Sequence, residues 1–541
     1  MLRLVTLLCL LLAVPVLGVL GSWLALDAQA LEILRHQFDT VLPEYARASL
    51  LLSVAVALGV AALGGATAAA VSLFDFPGRR VFEWALLLPM AMPAYVAAYA
   101  YTDFLQFSGP LQTGLRELLG ASRPLWPDVR SLPGAVLLFV LCLYPYVYLL
   151  VRTALAERGV ALMEAARMLG AGPWRRVREV ALPLARPALA AGVALALMET
   201  LADYGVGAYF GLATLTTGIY KAWLVMNDRI AAAQLASVLL AAVALLLWLE
   251  RRAQARLRFA SSRAGALHAA EARPLPLRGA AALGAWLFCA LPIVLGFLLP
   301  VMVLARLMWQ EAMFGEFGLP IERFIQWSLT SLKLAGLAAG LAVALALVLA
   351  YLARARQGQG QAQGLLLRAS TRVVALGYAV PGAVIAVGIL LPLGWLQDKA
   401  PQLGLPALMT GTILGLLYAY LVRFSGVALQ SIEAGYARIS PTLDETARML
   451  GASRARLFLA VHAPLLLRSG LAAALLVFVD VMKELPATLV LRPFNSDTLA
   501  VVAYQLARDE RLGEAALPSL AIVVVGLIPV ILLSRAMRRT V

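Results

Sequence analysis

The sequence predicts an all-α polytopic membrane protein with about 12 transmembrane helices, arranged as two parallel pseudo-symmetric halves. Hydrophobic residues make up 62% of the 541 residues and charged residues only 14%, a balance far from that of soluble globular proteins. The apolar stretches are continuous rather than alternating, which favours helices as the spanning form. A charged segment between apolar stretches occurs twice, which indicates a duplicated membrane unit.

Twelve apolar segments are long enough to span a bilayer, because a helix needs about twenty residues to cross the hydrocarbon core. They lie near 4–26, 49–73, 83–105, 133–153, 187–204 and 230–250 in the first half, and near 280–307, 328–353, 373–396, 408–430, 468–489 and 517–534 in the second.

The first segment resembles a signal peptide, since Arg3 precedes the apolar run and Ala28 and Ala30 form a small-x-small cleavage pattern. Its apolar run is longer than a typical signal core. We therefore interpret it as an uncleaved first helix, with cleavage after Ala30 as the alternative.

Proline and aromatic residues indicate irregularities in this bundle. Prolines inside spans kink helices or open unwound stretches, although ordinary packing is the alternative; they are Pro89, Pro93, Pro145, Pro381 and Pro392. The outer stretches 205–229 and 492–518 are less apolar and carry interfacial aromatic residues. We expect short helices there.

The connectors predict the orientation. Basic residues concentrate on one side, for example at Arg79–Arg80, Arg354 and Arg535, whereas Asp27 and Glu316 lie on the other. By the positive-inside rule the basic side is cytoplasmic, which places both termini there. The net charge of +15 thus reflects topology rather than nucleic-acid binding.

The repeat divides the chain into five parts. Residues 1–45 are a peripheral helix and outer loop, 46–250 the first membrane domain, 251–279 a cytoplasmic linker containing Ser261–Ser262, 280–326 a second peripheral helix and outer loop, and 327–535 the second membrane domain. Six spans per half give both halves the same orientation.

The duplicated segment is a helix–Gly–helix loop on the cytoplasmic side. Its first copy contains Glu164, Ala165, Ala166, Gly170 and Pro183, and its second copy Glu445, Ala447, Gly451 and Pro464, with an offset of 281 positions (445 − 164). Each glycine can adopt the left-handed conformation that ends a helix. Pro173 and Ser453 are expected to begin the second short helix, and Pro183 and Pro464 to end it.

A helix–Gly–helix loop that protrudes from the bilayer suits docking into a groove on another protein. The alternative is a basic loop that only sets topology. The fixed Glu, Gly and Pro spacing in two copies favours docking, and we predict that Glu164, Glu445 and both glycines are central to it.

Two acidic pairs also repeat with this offset. Glu199 and Asp203 share a helix face at the end of span five, and Asp480 and Glu484 do so at the end of span eleven. A charge at a helix centre costs about 2.5–3.5 kcal/mol on the insertion scale, so these pairs should not face lipid. They could line a pathway for a cation, because carboxylates that lie close together repel one another and a cation relieves that repulsion. The alternative is that they pair with Lys221, Lys483 or backbone amides and hold the helix ends in shape.

No catalytic site is apparent. The four lysines lack a phosphate-binding Gly-rich loop, and the three histidines are scattered; these residues are Lys221, Lys333, Lys399, Lys483, His36, His268 and His462. Cys9, Cys142 and Cys289 lie in apolar segments and are expected to pack rather than form disulfides. We expect no cofactor in this chain, and a metal site is left open. Any ATP and Mg²⁺ would be bound by a partner subunit.

The Glu-Ala-Ala…Gly…Pro loop resembles the signature of bacterial ABC importer permeases, in which it is the coupling element that fits the ATPase subunits. The resemblance covers nearly the whole chain. The segments 89–101, 377–382 and 483–493 look like the fused-permease family associated with ferric iron uptake. The second copy departs at Thr446, where the pattern has Ala.

The resemblance implies a type I importer fold in the bacterial inner membrane. It also implies two copies of an ATPase subunit on the cytoplasmic side and a periplasmic substrate-binding protein. The substrate would be ferric iron, with thiamine, polyamine, phosphonate or sulfate as alternatives. A secondary transporter is a competing class, but it has no reason to keep the duplicated loop. A membrane-embedded enzyme is a third class, and the missing nucleophile, base and metal constellations count against it.

Overall fold

The computed structural model describes residues 2–25, 28–255, 274–315, 318–355 and 371–538. Asp27, Glu316, Ser261–Ser262 and most of the predicted linker therefore lie outside the described residues. Within the described ranges the backbone is helical apart from connecting turns and two very short strands.

The α-helices of residues 2–255 run from α1 to α12. They are α1 (Leu2–Gly21), α2 (Ala28–Asp39), α3 (Val41–Leu73), α4 (Arg79–Ala85), α5 (Ala94–Leu105), α6 (Pro110–Leu119), α7 (Leu132–Met168), α8 (Pro173–Arg176), α9 (Leu182–Ala202), α10 (Gly205–Tyr209), α11 (Leu215–Tyr220) and α12 (Arg229–Ala255).

The α-helices of residues 274–538 run from α13 to α25. They are α13 (Ala280–Ile293), α14 (Leu299–Phe314), α15 (Ile321–Ala355), α16 (371–376), α17 (Gly382–Lys399), α18 (Leu405–Gly411), α19 (Ile413–Tyr436), α20 (Pro441–Met449), α21 (Arg454–Leu457), α22 (Ala463–Lys483), α23 (Pro486–Leu491), α24 (Leu499–Arg508) and α25 (Leu512–Arg538).

Short helical turns and strands complete the backbone. The 3₁₀ turns are Ser22–Ala25, Leu88–Ala91, Gly377–Ala379 and Pro401–Leu403, and the π-helical turns are Val177–Ala181, Lys221–Val225, Val294–Leu298 and Phe458–His462. Strands β1 (Phe74–Asp75) and β2 (Leu275–Pro276) pair in parallel. The pairing fixes the end of the predicted linker to the residues that follow α3.

The predicted helical membrane fold is confirmed. Among the described residues, 11 helices are long and apolar enough to cross a membrane, or 12 if one bent pair counts as a single span. That pair is Arg79–Ala91 with Ala94–Leu119, bent by 89°. The prediction of one plain span over 83–105 was therefore wrong, because Pro93 stands outside the helix at the start of α5. The short outer helices expected near 205–229 and 492–518 are present.

A second correction concerns the prolines of the duplicated loop. Pro183 and Pro464 do not end the short helices, because the chain continues through a π-helical turn into α9 and α22. Each proline follows its π-helical turn by two residues, and Pro300 does the same in α14. Proline lacks the amide that an α-helix needs, and a local π adjustment accommodates that loss.

The chain forms two compact units that do not follow its two sequence halves. One unit contains Met1–Gln37, Ile219–Leu240 and Ile321–Val502, and the other contains Phe38–Gly218, Ala241–Pro320 and Ala503–Val541. Each unit thus takes segments from both halves. The five-part division derived from the repeat uses a different criterion and stays a prediction.

In each unit, close backbone packing joins segments that come from different halves of the sequence. In the first unit, a Cβ added at Gly388 of α17 would collide with the Pro15 carbonyl of α1. In the second, a Cβ added at Gly526 of α25 would lie 2.6 Å from the Ala91 carbonyl. Such distances are shorter than real Cβ contacts, so only glycine fits there. Segments that are far apart in the sequence therefore pack tightly against each other within each unit.

The duplication is also visible in a buried hydrogen bond. The Ser49 hydroxyl of α3 accepts a bond of 2.9 Å from the amide of Leu215 at the start of α11. The Ser331 hydroxyl of α15 accepts a bond of 2.8 Å from the amide of Leu499 at the start of α24. Each unit therefore fixes a short helix to its long helix in the same way.

Candidate functional site

The duplicated loop ends its first helix with the same turn in both copies. Gly170 has φ +80° and Gly451 has φ +76°, which confirms the predicted left-handed conformation. The amide of Ala171 donates to the Ala166 carbonyl and that of Ala452 to the Ala447 carbonyl, each at 3.0 Å. These bonds satisfy carbonyls that the helix end leaves open.

The second helix of each loop begins as the sequence indicates. Pro173 is the first residue of α8. The Ser453 hydroxyl accepts from the Arg456 amide at 3.2 Å, which confirms Ser453 as an N-cap. Glu164 lies in the last part of α7, and Glu445 lies exposed in α20.

Both loops present a large apolar pair to their surroundings. Met168 is 89% exposed and Leu169 87%, and in the second loop Met449 is 89% exposed and Leu450 83%. Exposed apolar side chains at matched positions are typical of a surface that another protein covers. Neither copy buries this pair within the chain, so each loop retains an apolar surface for contact.

A buried polar network fastens the second loop to the end of α15. Arg354 donates from Nε to Asp444 Oδ2 at 2.8 Å and from Nη2 to Oδ1 at 3.2 Å. Arg354 also donates to the carbonyls of Tyr436, Ile439 and Ser440. On the other side, His462 Nε2 lies 3.0 Å from Asp444 Oδ1. One carboxylate thus joins α15, α20 and the π-helical turn before α22.

The charge state of Asp444 follows from these contacts. Burial alone would raise the pKa of its carboxyl, but hydrogen bonds from Arg354 and His462 outweigh burial and lower the pKa below its ordinary value. The carboxylate therefore stabilises the folded loop above the ordinary Asp range. That contribution is lost as the pH falls through the lowered pKa.

The first loop has a different set of residues. Met163 and Ala181 stand 281 positions before Asp444 and His462, so neither the carboxylate nor the imidazole has a counterpart. An Arg175–Glu179 ion pair of 2.9 Å lies on this loop, with side chains 69% and 59% exposed. Exposed pairs contribute little stability. The two loops thus share a surface but differ in how firmly they are held.

The second acidic pair is largely occupied by structural contacts. Glu484 accepts from the amides of Ala487 and Thr488 at 2.9 Å each and from Arg423 Nη1 at 3.0 Å. This carboxylate therefore caps α23 and neutralises a buried guanidinium. Asp480 lies half-buried one helical turn earlier. For Glu484 the geometry fits the helix-end alternative, with Arg423 in place of the lysines considered from sequence.

The first acidic pair has other surroundings. Asp203 accepts from the Val206 amide at 2.8 Å and so caps α10, and Glu199 interacts with it electrostatically. Among the described residues Asp203 forms no ion pair. Cys142, which also interacts with Asp203, stands 281 positions before Arg423. A thiol thus occupies the position that holds the guanidinium in the other half.

A small cavity lies beside this carboxylate. Its lining includes Ser49, Ser53, Phe139, Asp203, Gly207 and Thr216. Phe139 and Gly207 correspond by the 281-residue offset to Tyr420 and Thr488, whose hydroxyls bond each other at 2.8 Å in the second half. Loss of those hydroxyls accounts for the open space next to Asp203.

The described side chains offer no cluster of metal ligands. In the part that the structure describes, no three His, Cys, Asp or Glu side chains are grouped closely enough to hold a metal ion. All three cysteines are buried, in agreement with a packing role.

Sequence reasoning missed the residues that partner the acidic sites. Arg423 lies inside a predicted span, where a charge should itself have indicated a buried partner. Arg354 was interpreted only as an orientation signal and His462 only as a scattered histidine. Both belong to a network that needs tertiary contacts to be recognised.

The helical membrane fold and its duplicated loops agree with a family of transport proteins. Residues 61–259 match the family described as the binding-protein-dependent transport system inner membrane component. This part of the chain is similar to the permeases of binding-protein-dependent ABC transporters. The competing classes, a secondary transporter and a membrane enzyme, do not fit that family.

Individual relatives differ in how much of the chain they match. The Fe(3+)-transport system permease protein FbpB 2 of Haemophilus influenzae is 24% identical over 90% of this chain and 88% of its own length. The molybdenum transport system permease protein ModB of Escherichia coli is 29% identical over 34% of this chain and 81% of its own length. A putative 2-aminoethylphosphonate transport system permease protein, PhnU of Salmonella choleraesuis, is 28% identical over 33% of this chain and 64% of its own length.

Proposed function

We propose that this chain is the permease subunit of an ATP-driven importer that passes ferric iron from a periplasmic binding protein into the cytoplasm. The choice of substrate rests on how much of the chain each relative matches. The ferric-iron permease of Haemophilus influenzae matches across both halves, whereas the molybdenum and phosphonate permeases match about a third of the chain.

The two copies of the duplicated loop, called the coupling loops from here on, are proposed to contact two copies of an ATPase subunit. Support comes from their matched left-handed glycines and their exposed Met–Leu pairs. An apolar pair at the tip of a short helix fits a groove on a partner and buries surface that is otherwise exposed. ATP and Mg²⁺ would be bound by that partner, and this chain would hydrolyse nothing.

The proposed orientation places both termini and both loops in the cytoplasm of a bacterial inner membrane. It rests on the basic connectors and the positive-inside rule. The periplasmic binding protein would then deliver its substrate to the opposite side.

Stimulated ATPase activity tests the function and the substrate together. The chain would be co-purified with its ATPase subunit, reconstituted, and exposed to purified binding proteins loaded with Fe(III), molybdate or 2-aminoethylphosphonate. We expect the Fe(III)-loaded protein to raise ATP hydrolysis. Stimulation only by a binding protein loaded with an oxyanion or phosphonate would replace iron as the substrate, and failure to bind any ATPase subunit would contradict the coupling role.

A further inference from the structure

The cavity beside Asp203 is rich in side-chain oxygen atoms. Besides the Asp203 carboxylate, its lining contains five hydroxyl groups, which belong to Ser49, Ser53, Thr200, Thr214 and Thr216. All of these residues lie in one compact unit. The cavity volume is about 10 Å³, which gives room for about one water-sized body. The cavity can therefore take a single small ion or molecule.

The hydroxyl groups around this cavity offer lone pairs. Thr200 Oγ1 donates its proton to the Ala196 carbonyl at 2.8 Å, and Thr216 Oγ1 donates to the Leu201 carbonyl at 2.8 Å. A hydroxyl has one proton and two lone pairs, so these two oxygens can only accept from a further partner. The Ser53 hydroxyl is buried and has no hydrogen-bond partner among the described residues. The lining thus suits a partner that is positively charged.

The carboxylate itself still needs a positive charge. Asp203 accepts a hydrogen bond of 2.8 Å from the Val206 amide, but it forms no ion pair with any residue that the structure describes. A carboxylate at the end of a membrane-embedded helix is costly unless a cation compensates it. A cation in the adjoining cavity would provide that compensation.

The second half of the chain contains its own cation at the matching place. Arg423 Nη1 lies 3.0 Å from Glu484 Oε1, with only 11% and 2% of the two side chains exposed. Glu484 and Arg423 stand 281 positions after Asp203 and Cys142. The first half therefore keeps the carboxylate and lacks the guanidinium that neutralises it.

The hydroxyl groups follow the opposite pattern. Three residues that line the cavity have apolar, buried counterparts in the second half: Ser53 matches Ala335, Thr200 matches Val481 and Thr216 matches Ala500. The Thr200 match follows the 281-residue offset of α9 and α22. The other two follow the equivalent hydrogen bonds that Ser49 and Ser331 accept. Where the guanidinium is present the surroundings are apolar, and where it is absent they supply oxygen atoms.

We propose that the cavity beside Asp203 binds one Na⁺ ion, which takes the place that the Arg423 guanidinium has in the second half. The Asp203 carboxylate would be the charged ligand. The neutral ligands would be the hydroxyl oxygens of Ser53, Thr200 and Thr216. Small hard cations prefer such oxygen ligands, and a single carboxylate balances a monovalent charge. Because three of these four ligands are hydroxyls, the site needs no group of three His, Cys, Asp or Glu side chains. This inference goes beyond the proposed function and does not depend on which substrate is transported.

The test measures Na⁺ binding to the permease purified with its ATPase subunit. The unfolding temperature and the equilibrium binding of radioactive Na⁺ would be followed as NaCl replaces choline chloride at constant ionic strength, so that screening stays the same. The variants are Asp203→Asn and Thr200→Val, with Thr67→Val as the matched control. Thr67 is also buried and donates its hydroxyl proton to the carbonyl four residues earlier, at 2.7 Å, but it does not line the cavity.

We expect the unfolding temperature of the wild-type complex to rise with NaCl and to level off as the site fills. Asp203→Asn should lose both this rise and the bound Na⁺. Thr200→Val should need about tenfold more Na⁺, the effect of losing one contact to a charged group, whereas Thr67→Val should bind Na⁺ as the wild type does.

Two results would overturn the Na⁺ site. One is a wild-type complex that binds no Na⁺ and unfolds at the same temperature in NaCl and in choline chloride. The other is an unchanged Na⁺ affinity in Asp203→Asn or in Thr200→Val, and Thr200→Val tests the site even if Asp203→Asn does not fold. Neither result bears on iron transport, so the failure of this proposal is distinguishable from the failure of the proposed function.

Discussion

Replacing Asp444 by Ala should loosen the second coupling loop. The change removes two hydrogen bonds from Arg354 and one contact with His462. It also leaves a guanidinium whose side chain is only 11% exposed without its carboxylate. Breaking a buried ion pair from one side costs about 3–5 kcal/mol.

The expected cost lies at the lower end of that range. Arg354 keeps its bonds to the carbonyls of Tyr436, Ile439 and Ser440, at 3.0–3.2 Å. A loss of about 3 kcal/mol corresponds to roughly two orders of magnitude in the opening equilibrium of the loop. Amide hydrogen exchange over residues 437–453 in the purified complex measures that opening directly.

The first loop provides the control. Glu179→Ala removes the exposed partner of Arg175, and an exposed pair of this spacing contributes only about 0.3–0.5 kcal/mol. Exchange in that loop should therefore change by no more than a few-fold. If Asp444→Ala altered exchange as little as Glu179→Ala, the network would not hold the loop and the reasoning from its buried geometry would be refuted.

Three further outcomes follow from the same geometry. Gly170→Val should lower ATPase coupling and destabilise the loop by about 1–2 kcal/mol, since it forces a β-branched residue into the left-handed region. Gly172→Val should couple normally, because φ at Gly172 is not positive and the space around it is open. Equal ATPase activities of the two variants would show that the left-handed turn does not matter for coupling. Gly388→Ala should destabilise the protein by about 1–3 kcal/mol through overpacking against α1 and lower its unfolding temperature. Gly336→Ala should not, because the added methyl group meets no atom within 4 Å. Equal unfolding temperatures of the two variants would contradict the close packing at Gly388. A reporter fused after Arg35 should be active only in the periplasm, and cytoplasmic activity would reverse the topology.

The sequence was informative where local chemistry decides the structure. The long apolar segments, the left-handed glycines and the Ser453 cap depend on residues close together in the chain. Pro93 and Pro183 were harder, because proline allows several outcomes. One stands at a sharp bend and the other lies just beyond a π-helical turn within a continuing helix, and only neighbouring helices decide between these.

Other features depend on distant residues. The packing of α1 against α17 joins residues nearly four hundred positions apart, and no local pattern indicates it. The repeat predicted two equivalent acidic pairs, but Cys142 stands where Arg423 stands in the other half. A single substitution at a partner position thus gives matched carboxylates different surroundings.

The central claim is tested most directly by ATP-driven uptake in proteoliposomes. The chain would be reconstituted with its ATPase subunit, supplied externally with the Fe(III)-loaded binding protein, and given ATP inside. We expect accumulation of radioactive iron that stops when ATP is omitted or when the binding protein is left out. Uptake of molybdate, sulfate or 2-aminoethylphosphonate under the same conditions, with no uptake of iron, would contradict it.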